Sequence, residues 1–139
     1  MTGLRGLRVL IVEDEALIAM MAEDMLDGLG CAVAGVATSV GEAHAAIERD
    51  DFDAAMLDVN LNGDTSMGVA SALKASGRRF LFTTGYGSNG VSAEHADVPV
   101  LAKPYAIADL ERALAAFANA RSQAAGTSSI TSISDSNLG

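Results

Sequence analysis

The sequence predicts an α/β fold, a five-stranded parallel sheet covered on both faces by helices. Three observations predict it. Short runs such as "LRVLIV" and "AAML" are nearly continuous in apolar residues rather than alternating, as strands buried on both faces require. Segments with apolar residues at helical spacing separate these runs. Glycines and polar clusters mark the joints. Strands that alternate with helices in this way form a parallel sheet.

Taken in order, the first strand is expected over residues 7–12 and stops at Glu13-Asp14-Glu15. Leu17, Met21 and Met25 then recur at helical spacing until "DGLG" ends the helix with glycine. Residues 31–37 are the second strand. Thr38 or Ser39 can cap the next helix, with Glu42 as the capping-box partner of Ser39, and that helix runs to about Arg49. "DDFDAAMLD" brings the third strand, ending at Asp58. A polar loop, a short helix over residues 69–75 stopped by Gly77, and the fourth strand "RRFLFTT" follow. "VPVLAKP" holds a short fifth strand. An Ala-rich helix over residues 109–120 closes the unit, with Leu110, Leu114 and Phe117 on one side.

Two segments depart from the alternation. A fourth helix is due between strands four and five, but "GYGSNGVSAEHADVP" carries Gly85, Gly87 and Gly90, and glycine costs about 1 kcal/mol in a helix interior relative to alanine. A mobile loop with at most a turn or two over residues 93–96 is expected there. The Ser/Thr-rich tail has no trustworthy period and is expected to be disordered, so residues 1–120 form the domain and 121–139 the tail.

Composition excludes several function classes. The chain of 139 residues is half hydrophobic, enough for one ordinary core, and with aromatics at 4% that core is aliphatic. Eighteen acidic residues against nine basic ones give a net charge of −9, so a phosphate-backbone footprint is missing and nucleic acid is not an expected partner. The single Cys31 excludes an internal disulfide or a cysteine metal cluster and reads as a small buried hydrophobe. The N-terminus lacks the features of a signal peptide and no apolar stretch can span a bilayer. A cytoplasmic protein without a membrane partner is expected.

In open α/β sheets the ligand site lies beyond the carboxyl ends of the strands. Glu13 and Asp14 close the first strand, Asp58 the third, Thr83 and Thr84 the fourth, and Lys103 follows the fifth. Residues far apart in the chain thus converge on one edge. Carboxylates forced together repel one another unless a cation enters, and Mg2+ suits a site with few protein ligands and several waters. Asp14, opposite Asp58, is the expected metal ligand, whereas Glu15 reads as a solvated helix start. Lys103 can neutralise Asp58 or bind an anion attached to it, and Thr84 can donate to the same anion. The Lys103–Pro104 bond is a candidate for cis geometry. His44 and His95 have no metal-ligand partner in the sequence and are assigned to the surface.

One competing motif sits at Asp58. "DVNLNG" opens like a calcium-binding loop. That loop needs a bidentate Glu at its twelfth position, which here is Val69, and it follows a helix rather than a strand.

"VLIVEDE", "MLDVN", "FTTGYG" and "LAKPY", in this order, resemble a response-regulator receiver domain from about Leu7 to Ala120. "FTTGYG" is similar to the FAT-GUY subgroup of stand-alone receivers found in alphaproteobacteria. The resemblance implies a flavodoxin-like sheet of order 2-1-3-4-5 whose fourth helix is short or replaced by a loop. It implies Asp58 as phosphoacceptor, Mg2+ bound by Asp14, Asp58 and the Asn60 backbone carbonyl with Glu13 acting through water, Thr84 as the switch hydroxyl, and Lys103 on the phosphoryl group. Val100 stands where most receivers carry an aromatic residue three before the lysine, which leaves Tyr86 and Tyr105 as substitutes to be weighed. Asn62 stands where many receivers carry proline.

The function so implied is a single-domain response regulator of a two-component phosphorelay. A sensor histidine kinase would supply the phosphoryl group, and the message would pass by contact to a downstream protein, since no output domain is expected after the last helix. A phosphate sink for another regulator's kinase is an alternative within that class. Outside it stand a Mg2+-dependent phosphatase, weakened because Asn60 replaces the acid of the Asp-x-Asp pattern, and an interaction module independent of phosphate.

Overall fold

A computed structural model describes residues 4–85 and 90–117. The strands are β1 (Arg8–Val12), β2 (Ala32–Ala37), β3 (Ala54–Asp58), β4 (Arg79–Thr84) and β5 (Val100–Ala102). They form one parallel sheet of order β2-β1-β3-β4-β5. The helices are α1 (Ala16–Gly28), α2 (Val40–Arg49), α3 (Met67–Ala75) and α4 over residues 107–117. Where a further helix would join β4 to β5, a 3-10 turn at Ala93–His95 is the regular structure among the described residues. The expected tail and residues 86–89 of the glycine-rich segment lie outside the described residues.

Each sheet face buries its own set of side chains. Val9, Ile11, Met56 and Leu81 pack against Ala19, Ala22 and Leu26 of α1 and Leu110, Leu114 and Phe117 of α4. Leu10, Val12, Leu57, Phe80 and Phe82 pack against Ala43 and Ala46 of α2 and Val69, Ala70 and Leu73 of α3. β3 lies in the middle and is buried along its whole length, as its continuous "AAML" run predicts. Fully burying one such large apolar side chain contributes about 1.5–3 kcal/mol.

The capping signals act where the sequence puts them, with one shift. Ser39 caps α2 by accepting from the Glu42 amide, but the Glu42 carboxylate reaches back to the amide and hydroxyl of Thr38 rather than to Ser39. Gly30 and Gly77 take the left-handed conformation just past α1 and α3. The α1 stripe is a correction. Leu17 is 69% and Met21 47% exposed, and the buried face is Ala19, Ala22 and Leu26, with Met25 half-buried. Apolar residues run almost all the way round this helix, so spacing alone does not select the inner face. The alanines face inward on the sheet.

Candidate functional site

β1 and β3 are adjacent and in register, so their carboxyl ends bring Glu13, Asp14 and Asp58 to one place. Carboxylate oxygens of the three lie within 4.8 Å of one another. β5 adds Lys103, whose amide donates to the Thr84 carbonyl and is thereby held beside the end of β4. The Lys103 ammonium donates to Glu13 Oε1 and to Asp58 Oδ2, each at 2.8 Å. Asp58 and Glu13 are 6% and 3% exposed, so this is a partly desolvated ion triad rather than a surface pair. The Lys103–Pro104 peptide is cis.

Three further carboxylate oxygens are fixed by the backbone. Asp58 Oδ1 accepts from the Asn60 amide, Glu13 Oε2 from the Glu15 amide, and Asp14 Oδ2 from the Asn62 amide. The last bond ties β1 to the loop after β3. That loop is a two-residue hairpin pairing Asn60–Leu61 with Asp64–Thr65, in which Asn62 and Gly63 both have positive φ, the geometry Asn-Gly favours. The calcium-loop reading is thereby removed: "NG" makes a turn, and Val69, at the position where that motif needs its glutamate, is fully buried in α3.

The residues enclose a cleft of about 540 Å3 lined by Asp14, Asp58, Asn60, Thr84 and Lys103. Glu15, Val59, Gly63, Thr65, Gly85 and Gly90 complete its wall. Sequence reasoning missed Thr65 and Gly90, because only the hairpin and the return of the chain after residue 89 carry them there. Thr84 is 2% exposed at the end of β4. Burial pushes the Glu13 carboxyl up to about 7, against the pull of the Lys103 hydrogen bond. Burial pulls the Lys103 ammonium down, but its bonds to Asp58 and Glu13 outweigh this and leave it raised. Burial, with the nearby Glu13 charge, raises Tyr105.

These donors fit a hard divalent cation. With all three acids ionised, Lys103 leaves two negative charges uncompensated, and oxygen ligands are the ones Mg2+ takes. Burial is what raises the Glu13 carboxyl, and the nearby Asp58 charge adds to it.

The two histidines part company. His44 is exposed, as expected. His95 is a correction: it is 1% exposed, packed edge-on against Phe80 and Phe82. A polar residue in a glycine-rich segment carries no local signal for burial; the slot exists only because both phenylalanines project to one face of β4. Cys31 is buried, as expected, and burial raises its thiol.

A parallel sheet of this order with an acidic cleft at the carboxyl ends of its strands defines the class, and comparison with known proteins defines the family. The model of the response regulator receiver domain matches residues 9–115. The chain therefore belongs to the response regulator receiver domain family. It is similar to the solution structure of SdrG from Sphingomonas melonis Fr1, at 44% identity and a TM-score of 0.73, covering 84% of this chain and 98% of that one. It is similar to the BeF3-activated conformation of SdrG from Pseudomonas melonis Fr1, at 45% identity and a TM-score of 0.70, covering 80% and 95%. A CheY-like receiver domain from Methylobacillus flagellatus matches at 26% identity and a TM-score of 0.72, covering 81% and 98%. No curated protein matches. Among the described residues no helix is long and apolar enough to cross a membrane.

Proposed function

We propose that the chain is a single-domain response regulator that accepts a phosphoryl group on Asp58 from a sensor histidine kinase and signals by contact with a downstream protein. The observation that carries this reading is the Lys103 ammonium at 2.8 Å from the Asp58 carboxylate, at the mouth of a cleft large enough for a phosphoryl group. The 98% coverage of SdrG supports a receiver acting on its own.

In the transfer, an Asp58 oxygen attacks phosphorus in line. The new O–P bond forms as the N–P bond of a donor phosphohistidine breaks, and the imidazole leaves with the electron pair and takes up a proton. Negative charge spreads over the phosphoryl oxygens, so the protein's part is positioning and neutralisation. Lys103 moves from carboxylate to phosphoryl oxygen, and Thr84 donates a hydrogen bond. Asp14, Asp58 and the Asn60 carbonyl would hold Mg2+, with Glu13 acting through water, and the ion would supply further positive charge. Glu13 also holds Lys103 beside Asp58.

The surroundings of the cleft favour a protein as donor. Leu17 and Met20 of α1 and Ile107 are exposed, and an apolar groove of about 260 Å3 lined by Ile18, Met21, Met25, Pro104 and Tyr105 shares Lys103 with the site. Exposed apolar side chains beside a site are a mark of protein contacts. Incubation with acetyl phosphate and Mg2+ followed by intact mass tests the reading. Wild type gains the mass of one phosphoryl group and Asp58→Ala gains none; a wild type that never gains it, or an Asp58→Ala protein that gains it equally, overturns the assignment. Sustained release of phosphate from small esters would favour the phosphatase instead.

A further inference from the structure

On β4, Phe80, Phe82 and Thr84 alternate with Leu81 and Thr83, so the first three form one column on the α2–α3 face of the sheet. Thr84 ends this column at the cleft. The imidazole of His95 lies against its phenylalanine end, with ring centroids 6.1 Å from Phe82 and 6.2 Å from Phe80. On the neighbouring strand, Val100 pairs with Phe82 and the exposed Ala102 with Thr84, so β5 adds little bulk beside the column. Tyr105 packs with the other face, among the residues around α1 and α4.

The segment that carries His95 is held to α3 by two hydrogen bonds. Lys74 of α3 donates to the Glu94 carbonyl at 2.9 Å, and Ser71 donates to the Glu94 carboxylate at 3.1 Å. The His95 Nε2 lies 3.2 Å from that carboxylate, whereas the buried Nδ1 has no partner. With its proton on Nε2 the ring donates to Glu94 and Nδ1 stays a bare acceptor. The backbone turns closed here are His95 N–H to Ser92 O, Ala96 N–H to Ala93 O and Val98 N–H to His95 O, at 2.9, 3.1 and 3.0 Å. Both α3 and β4 lead straight from the cleft.

Resting on the phosphoacceptor reading of Asp58, we propose that His95 is a positioning residue that couples Thr84 to the surface of segment 92–98: its ring reads the packing of the Phe80–Phe82–Thr84 column and sets whether that segment is closed on α3. A close-packed face does not deform continuously. When Thr84 turns toward a phosphoryl group on Asp58, the volume it leaves is taken up along the column, and the ring, edge-on to both phenylalanines, is a bulky neighbour carried by the segment outside the sheet and the helices. Its movement carries Glu94 and Asp97 with it, which changes the charged surface offered to a partner.

The experiment compares wild type, His95→Ala and His95→Phe, each with and without beryllofluoride and Mg2+. Fluorine NMR reads ligation at the site, and amide hydrogen exchange reads His95, Ala96 and Val98. In wild type, ligation changes exchange at these three amides by about tenfold, while in His95→Ala they exchange at least about tenfold faster without ligand and no longer respond. His95→Phe, which keeps the ring but not the polar arm, retains the response; a merely structural histidine would not separate ligation from response in this way. Ligand bound in wild type with no change at the three amides, or an unaltered response in His95→Ala, overturns the proposal. If His95→Ala does not fold, His95→Phe decides: a retained response supports the coupling and a lost one overturns it. Absence of ligation in wild type removes the phosphoacceptor reading and the coupling together, and is told apart by the fluorine signal.

Discussion

Because the Lys103 ammonium is shared between Glu13 and Asp58, Lys103→Met keeps an apolar stem in place but leaves two buried carboxylates facing each other without a counter-charge. Removing one partner of a buried pair costs about 3–5 kcal/mol, and a cation that can replace the lysine offsets part of it. The variant is therefore expected to unfold at lower temperature than wild type in EDTA, with Mg2+ recovering part of the difference in a thermal melt. Labelling by acetyl phosphate should fall roughly 100-fold, the scale for one lost donor to a developing anion. A variant that is labelled at the wild-type rate would show that Lys103 is not the group that meets the phosphoryl oxygens. Asp14, Asp58 and Lys103 were legible in the sequence because each closes or follows a strand, and strand ends share one edge of a parallel sheet. His95 was not, because its burial depends on where Phe80 and Phe82 point rather than on its own neighbours.

At the scale of elements, α1 shows where periodicity stops being decisive. Two apolar stripes run along it at the same spacing, and the sheet selects the one containing alanines. The register is testable by urea denaturation: Leu26→Ala should cost about 2–5 kcal/mol, as a cavity in a closed core does, whereas Leu17→Ser should stay within about 0.5 kcal/mol. Equal losses from the two would restore the stripe read from the sequence. The start of α2 gives a pH-dependent case. Hydrogen bonds from the Thr38 amide and hydroxyl hold the Glu42 carboxyl below its ordinary value. A carboxyl lowered in the folded state adds stability above its unfolded value of 4.5 and loses it as the pH falls through the folded one. Glu42→Ala should therefore be less stable than wild type at neutral pH, with the gap closing in acid below that value. A gap that is constant with pH would mean that Glu42 acts through packing or helix propensity instead.

For the whole molecule, the alternation of strands and helices was legible because each element writes its own local period. The order of strands was not written in any period and came from resemblance, and the hairpin after Asp58 became visible only as Asn62 and Gly63 adopted a turn between two short strands. The site is a property of the assembled sheet in the same sense: Glu13 and Asp14 end β1, Asp58 ends β3, and only their parallel pairing brings the three carboxylates together. An unfolded chain offers a divalent ion no such cluster, so binding to the folded state adds stability of RT ln(1 + [L]/Kd), about 2.7 kcal/mol when the ion stands at 100 times its dissociation constant. The unfolding midpoint of wild type should accordingly climb with Mg2+ concentration. Asp14→Asn, which removes one charged oxygen donor and leaves the Lys103 ion pairs in place, should be flat over the same range. Calorimetric melts of both proteins across a Mg2+ series measure this directly. A wild type indifferent to Mg2+, or an Asp14→Asn protein that responds as strongly, would show that the acidic edge is satisfied by Lys103 and by protonation of Glu13 alone, and the ion would then have to arrive only with the phosphoryl group.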